Sequence, residues 1–200
     1  AMLVGDVADK IMPKLIERTR QLKVLNGMNL AAEMGPIVTQ AAHDRITGYI
    51  EQGVKEGAEL LIDGRGFKGA SAGEGCDNGF WLGGTLFDNV TTDMRIYKEE
   101  IFGPVLVVLT YKDEDEAARI ANDTIYGLGG GVWSGSEDHA LAFARRMRTG
   151  QVDINGAPFN MNAPFGGYKQ SGHGRENGKY GLDEFLEYKA LQFKPEEKKA

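Results

Sequence analysis

Two adjacent carboxylates, Glu99 and Glu100, open the run Lys98-Glu99-Glu100-Ile101-Phe102-Gly103-Pro104, just ahead of an apolar stretch at 105–111. A carboxylate at the edge of a parallel sheet can accept hydrogen bonds from a pair of vicinal hydroxyls. An aromatic ring two residues further on lies on the same side of an extended chain, where it can pack against whatever carries those hydroxyls. The plainer reading makes Glu99 and Glu100 solvated surface acids and Phe102 a core residue. A second run, Ala163-Pro164-Phe165-Gly166-Gly167-Tyr168-Lys169-Gln170-Ser171-Gly172-His173-Gly174-Arg175-Glu176, mixes small residues with one phenylalanine and several polar side chains. Its glycines permit close approach of backbone to a ligand or to another chain. The plainer reading is a packed turn.

The remaining reactive residues offer less. Cys76 is the single cysteine, so neither an internal disulfide nor a cysteine-rich zinc site is available. It sits in a glycine-rich stretch between Glu74 and Asp77, acids that oppose a thiolate, and is expected to be a surface thiol without function. His43, His139 and His173 have no metal-ligand spacing, so no metal is expected. No G-x-G-x-x-G follows a strand, and 127–131 lacks both that spacing and the lysine of a phosphate loop.

The elements that must position these residues follow from periodicity. Residues 2–5 form an apolar run that suits a short strand, with Asp6 expected to cap a helix on which Val7, Ile11, Leu15 and Ile16 share a face. Pro13 is expected to kink or delay that helix. Thr39 is expected to cap a helix over 40–55 that buries Ile46, Tyr49, Ile50 and Val54. Strands are predicted at 58–62, 105–111, 131–134 and 151–155. That at 105–111 is almost free of polar breaks, as for a strand buried on both faces. Asp113, Glu114, Asp115 and Glu116 begin a helix that ends near Asp123, where carboxylates favour the positive end of the dipole. Ser136 caps another helix, which closes through Arg145, Arg146 and Arg148 before Gly150. Residues 67–78 read as a surface loop, 182–185 as a short helix or turn, 187–193 as a strand, and 194–200 as a charged end expected to fray. Strand and helix alternate, so the fold class is α/β, a mostly parallel sheet flanked by helices with a C-terminal extension strand.

Composition agrees with an ordinary globular protein. The chain has 200 residues, 42% hydrophobic and 26% charged, with a net charge of −6. An acidic chain lacks the basic face that phosphate backbones need, so nucleic acid and anionic membrane surfaces are not expected partners. No apolar stretch is long enough to span a bilayer and no signal peptide is expected. Ala1 ahead of Met2 reads as a tag remnant, and the absence of disulfides fits a cytoplasmic protein.

Taken together, the two runs resemble the aldehyde dehydrogenase superfamily. Its members carry Glu-Glu-Ile-Phe-Gly-Pro before a sheet strand and Pro-Phe-Gly-Gly-x-Lys-x-Ser-Gly-x-Gly-Arg-Glu near the C-terminus. Tyr126-Gly127-Leu128, the strand ending in Asn155, Gly35-Pro36 and Tyr49-Ile50 with Glu56-Gly57-Ala58 fall in the same order as in the family. The resemblance runs from Met2 to about Phe193. It implies that Glu100 binds the nicotinamide-ribose hydroxyls of NAD or NADP and that Phe102 packs beside that ribose. It implies that Phe165 and Phe159 line the aldehyde tunnel, and that Arg45 lies near a position that touches cofactor in some members. Lys169, Ser171, Arg175 and Glu176 are expected to tie the loop to its neighbours. No catalytic residue is assigned, because the family's nucleophilic cysteine, its glutamate base, its oxyanion asparagine and its dinucleotide fold all lie upstream of Met2. The resemblance therefore implies a partial catalytic domain over 1–178 and an oligomerisation segment and tail over 179–200. The activity implied for the parent is oxidation of an aldehyde to an acid. The chain alone is expected to be inactive, with weak or absent cofactor binding and a homo-oligomeric tendency. The last strand would pair with another subunit. Two alternatives stay open: a non-enzymatic oligomerisation or regulatory module, or part of a coenzyme A-acylating semialdehyde dehydrogenase, which 61–65 and 97–109 resemble.

Overall fold

Strand β1 (Met2–Val4) passes through Gly5, at φ +49°, into helix α1 (Asp6–Arg20). The computed structural model describes residues 1–194 and divides into two units, Ala1–Ile120 and Ala121–Ala200. Asp6 does not cap α1: Gly5 occupies that position and Asp6 joins the first turn, 3.1 Å from Lys10. Pro13 does not break the helix either. Packing of α1 on the neighbouring strands outweighs the one backbone hydrogen bond that proline removes.

Helix α2 (Gln40–Lys55) begins as expected at Thr39, whose hydroxyl accepts the Ala42 N–H at 3.1 Å. Its buried stripe runs through Ile46, Ile50 and Gly53, while Val54 is 46% exposed. The stripe turns toward Gly53 because a Cβ there would lie 2.9 Å from Ile96 and 3.1 Å from Phe87. Only a bare α-carbon lets the helix come this close.

Strands β2 (Glu59–Ile62) and β3 (Thr85–Asp88) pair antiparallel, and short helix α3 (Arg95–Lys98) leads on to β4 (Val105–Val107), parallel to β3. Strand β5 (Leu109–Tyr111) pairs instead with β1, also parallel. The run 105–111 is thus two strands in two sheets, not one. Val108, fully buried at the break, donates to Phe87 O at 2.9 Å and accepts from Val90 N–H at 3.2 Å, so the chain changes neighbours without leaving a buried polar group unpaired. Strand β3 went unpredicted, yet Thr85, Leu86 and Phe87 are all at most 1% exposed. The core gathers Ile46, Ile50, Leu82, Phe87, Ile96, Ile101, Leu109 and Ile120.

Residues 67–78 are not a loose surface loop. Cys76 is only 6% exposed and joins Val24, Ala72 and Trp81 in a second apolar cluster. Trp81 donates its indole N–H to the Cys76 carbonyl at 2.7 Å, and Phe67 tilts against the Trp81 ring. The expected surface thiol is therefore a buried one. The glycines let the segment fold back on tryptophan instead of projecting.

Helix α4 (Glu114–Asn122) carries the boundary between the units and starts where Asp113 accepts the Glu116 N–H at 2.8 Å. In the second unit, β6 (Gly129–Val132) and β7 (Gln151–Ile154) run parallel, joined by α5 (Glu137–Ala144), which Ser136 caps by accepting the His139 N–H at 3.3 Å. Strand β6 begins two residues earlier than predicted, within three consecutive glycines. A Cβ at Gly130 would lie 2.5 Å from the Met147 side chain, so the turn after α5 sits directly on the strand. Helix α5 ends at Ala144, and the arginines beyond it lie in that turn. Helix α6 (Gly178–Asp183) follows.

Three of the four strand pairings among the described residues are parallel, so the expected α/β class holds. The extension strand does not form: residues 187–194 carry no strand, and Tyr188, Leu191 and Phe193 are 73–86% exposed. A strand exists only where an edge offers it hydrogen bonds, and none among the described residues does. The end expected to fray, 195–200, lies outside the described residues.

Phe87→Ala is expected to remove about 3–5 kcal/mol of stability, whereas Val54→Ala, on an exposed position, costs roughly 0.5 kcal/mol or less. Urea denaturation of the two variants measures the difference. Equal losses would contradict the placement of the core.

Candidate functional site

Glu99 is clamped. The Tyr49 hydroxyl of α2 donates to Glu99 Oε2 at 2.5 Å, and Arg95 Nε of α3 donates to Glu99 Oε1 at 2.7 Å. Arg95 also lies over the Tyr49 ring at 5.1 Å, which closes a triangle of three side chains. The Arg95 guanidinium, and after it the Tyr49 hydroxyl, holds the Glu99 carboxyl below the usual glutamate range. The same bond to Glu99, with some burial, raises the Tyr49 phenol above the usual tyrosine value.

Glu100, one residue on, is exposed and makes no hydrogen bond or ion pair among the described residues. Ile101 then turns into the core at 8% exposure, and Phe102 comes back out at 69%. Phe102 is therefore not a core residue. Its backbone is left-handed, φ +54°, a conformation that costs a phenylalanine on the order of 1–3 kcal/mol and persists only where the surroundings impose it. The surroundings are α2. Gly103 lies so close to Ile46 that a Cβ would meet its side chain at 2.6–2.8 Å, and the Arg45 guanidinium stacks over the Phe102 ring at 5.6 Å. Arg45, Ile46 and Tyr49 are one turn of helix. They grip Phe102, Gly103 and Glu99 in that order; Glu99 and Phe102 stay at the surface in those contacts, and Glu100 is exposed without a side-chain partner among the described residues.

In the second unit, Phe165 bridges Glu176: its N–H donates to Glu176 O at 2.8 Å and its carbonyl accepts the Glu176 N–H at 2.6 Å. The Phe159 ring meets the Phe165 ring edge-on, with centroids 5.5 Å apart and planes at 77°. The two residues expected to line a tunnel are thus brought together, with Phe159 half exposed. The loop around them is fixed by the polar residues read as ties. Lys169 Nζ donates to the Asn122 and Thr124 carbonyls at 2.8 and 2.9 Å, and Gly127 N–H donates to Ser171 Oγ at 3.0 Å. Arg175 donates to the Gly167 and Gly174 carbonyls at 3.0 and 2.8 Å and lies over the Tyr168 ring at 5.2 Å. Glu176 acts through its backbone. A Cβ at Gly150 would fall 1.6 Å from Gly166 O, so the Phe165 loop rests on bare backbone at the head of β7. A cleft of about 420 Å³ runs along this loop, bordered by Leu128, Phe165, Arg175, Glu184 and Phe185.

Residues that sequence reading missed are Tyr49, taken for a plain core position, and Arg95. The i,i+4 spacing of Arg95 and Glu99 was the available signal. No group of three or more His, Cys, Asp or Glu able to hold a metal occurs among the described residues, and none of their helices is long and apolar enough to cross a membrane.

The aldehyde dehydrogenase family model matches residues 1–191. A putative aldehyde dehydrogenase of Staphylococcus saprophyticus is 44% identical over 187 residues, covering 94% of this chain and 38% of that protein. The betaine aldehyde dehydrogenase of Bacillus subtilis is 42% identical, covering 94% of this chain and 38% of that protein. Among solved structures, an aldehyde dehydrogenase of Mycobacterium tuberculosis complexed with NAD+ superposes with a TM-score of 0.83 at 38% identity, over 92% of this chain and 37% of that one. An aldehyde dehydrogenase C mutant of Pseudomonas syringae, complexed with NAD+ and octanal, gives 0.84 at 38% identity, over 93% and 37%. The chain belongs to the aldehyde dehydrogenase family and spans well under half the length of these relatives.

The clamp titrates with a defined sign. Folding lowers the Glu99 value, so its contribution is present above the ordinary glutamate range and is lost as pH falls through the lowered folded value. Folding raises the Tyr49 value, so that contribution is present below the ordinary tyrosine value and is lost as pH rises through the raised one. Carbon-detected NMR is expected to show the Glu99 carboxyl titrating below an ordinary glutamate, and Arg95→Ala to move its midpoint upward. A midpoint indifferent to Arg95 would contradict the clamp.

Proposed function

We propose that this chain is the C-terminal part of an NAD(P)-dependent aldehyde dehydrogenase. The whole enzyme oxidises an aldehyde to a carboxylic acid through a thioester on a cysteine that these 200 residues do not contain. One observation carries the reading: in a chain of this family, the only glutamate of the pair left without a partner, Glu100, faces out beside an exposed Phe102. A carboxylate with both oxygens free suits two vicinal ribose hydroxyls, and an aromatic face beside it suits the sugar and the ring it bears. The residues present therefore fit a nicotinamide dinucleotide, which when bound supplies the hydride acceptor. What this chain contributes is positional. Glu100 and Phe102 hold that acceptor in place, while Phe159 and Phe165 form an apolar wall for the aldehyde's tail and keep water from it.

Cys76 does not act as the nucleophile in this reading, because its sulfur is buried against Trp81 and its carbonyl is engaged. A reacting thiolate needs access to its substrate. Residues 1–178 are assigned to the catalytic domain and 179–200 to an oligomerisation segment and tail, supported by the exposed Tyr188, Leu191 and Phe193 beside a backbone without a strand partner.

Two experiments test this. The purified chain is expected to reduce no NAD or NADP with any aldehyde; turnover abolished by Cys76→Ser would overturn the assignment. In a chimera that carries residues 1–191 in place of the matching stretch of the Bacillus subtilis relative, activity is expected. There Glu100→Ala should weaken cofactor binding by about 1.5–3 kcal/mol, roughly 10- to 100-fold. Unchanged cofactor affinity would remove Glu100 from the site.

A further inference from the structure

Glu99 and Glu100 are chemically identical, carry the same charge and stand side by side, so nothing in their side chains says which should meet a ligand. The fold decides. At Glu99 the backbone is extended, φ −111° and ψ 146°, and neighbouring side chains on an extended backbone leave on opposite sides. Fixing one of them therefore aims the other. Glu99 is fixed from two elements at once, by Tyr49 of α2 at 2.5 Å and by Arg95 of α3 at 2.7 Å, and the two donors brace each other through the 5.1 Å cation–ring contact. Arg95 also ties itself to α2 through its own N–H, which donates to Glu56 Oε2 at 2.8 Å. Each partner of Glu99 is thus anchored independently of Glu99. Arg95, spent on Glu99, is not left to neutralise the neighbouring carboxylate.

We propose that Tyr49 and Arg95, acting through Glu99, are positioning residues for the cofactor: they select Glu100 as the carboxylate presented to the nicotinamide ribose and hold it at a set height above α2. This deepens the cofactor reading given above and rests on it. Neither residue touches the ligand. Loss of the clamp frees Glu99 to swing and the loop to rotate, so the entropy of placing Glu100 is then charged to cofactor binding. The Gly103–Ile46 contact and the Arg45–Phe102 stack hold the far end of the same loop, so the effect is confined to cofactor capture and leaves the fold standing.

The test compares Tyr49→Phe, Glu99→Ala and Glu99→Gln with Glu100→Gln in the chimeric enzyme. Tyr49→Phe keeps the ring beneath Arg95 and removes only the donor. It should raise the cofactor Kd and KM roughly three- to tenfold while kcat, aldehyde KM and Tm stay near those of the parent. Glu99→Ala should do more, and Glu99→Gln, which keeps an acceptor oxygen, should restore part of the loss. If Glu100→Gln weakens cofactor binding and the Tyr49 and Glu99 variants do not, or if they only lower Tm, the positioning role is overturned. If Glu100→Gln is itself without effect, the cofactor reading fails and the proposal falls with it. The 200-residue chain provides a second measurement that needs no assembly. Exchange of the Glu99 amide, which donates to Arg95 O at 3.0 Å beside the clamp, should quicken by about tenfold in Tyr49→Phe, and exchange unchanged there would also overturn the clamp.

Discussion

The distance between α2 and the loop at 99–104 governs what the first unit can present. Ile46 lies so near Gly103 that no side chain fits between them, and that contact draws the backbone into the left-handed turn at Phe102. The strain there is small against the burial it secures. Ile46 and Ile101 fall into one core cluster, and two such side chains gain several kilocalories per mole on burial, about 1.5–3 each. With the far end of the loop pinned by Ile46 at Gly103 and by Arg45 at Phe102, Tyr49 of the same helical turn reaches its near end at Glu99. A helix is well suited to this, because residues one, three and four apart are held at fixed angles by the backbone alone. Glu100 is the side chain that remains once these contacts have been made.

The second unit solves a similar problem by other means. Its loop from 163 to 176 has little core beneath it and is held by backbone carbonyls. Lys169 satisfies two of them and Arg175 three, and Ser171 takes an amide. Cations that bond carbonyls lock a loop geometrically through its backbone. Phe159 and Phe165 then meet edge to face. The chemistry of the motif is divided accordingly: its polar residues are scaffold, and its apolar residue is the surface on offer.

Much of this was legible in the sequence. Caps at Thr39 and Ser136 and the strand at 151–154 followed from local signals, because capping is decided within three residues. What failed had non-local causes. The break at Val108 depends on two different strands competing for one run, and β3 lies behind a Gly83-Gly84 pair that looks like a turn but is packed against Thr19. Cys76 seemed exposed because its neighbours are glycine and acid; Trp81, five residues on, covers it. The strand at 187–193 is written clearly in its residues and absent from the fold, since strand propensity needs an edge to pair with. At the site, the motif pointed to two glutamates, and choosing between them required Tyr49, fifty residues away from Glu99 in the chain.

Both glutamates lie at the surface, and the fold engages one of them in side-chain bonds while leaving the other free. A crystal structure of the chimeric enzyme with nicotinamide dinucleotide bound tests it most directly. Both ribose hydroxyls are expected on the Glu100 carboxylate, with Glu99 still held by Tyr49 and Arg95. A ribose seated on Glu99, with that pair of bonds broken, would contradict it.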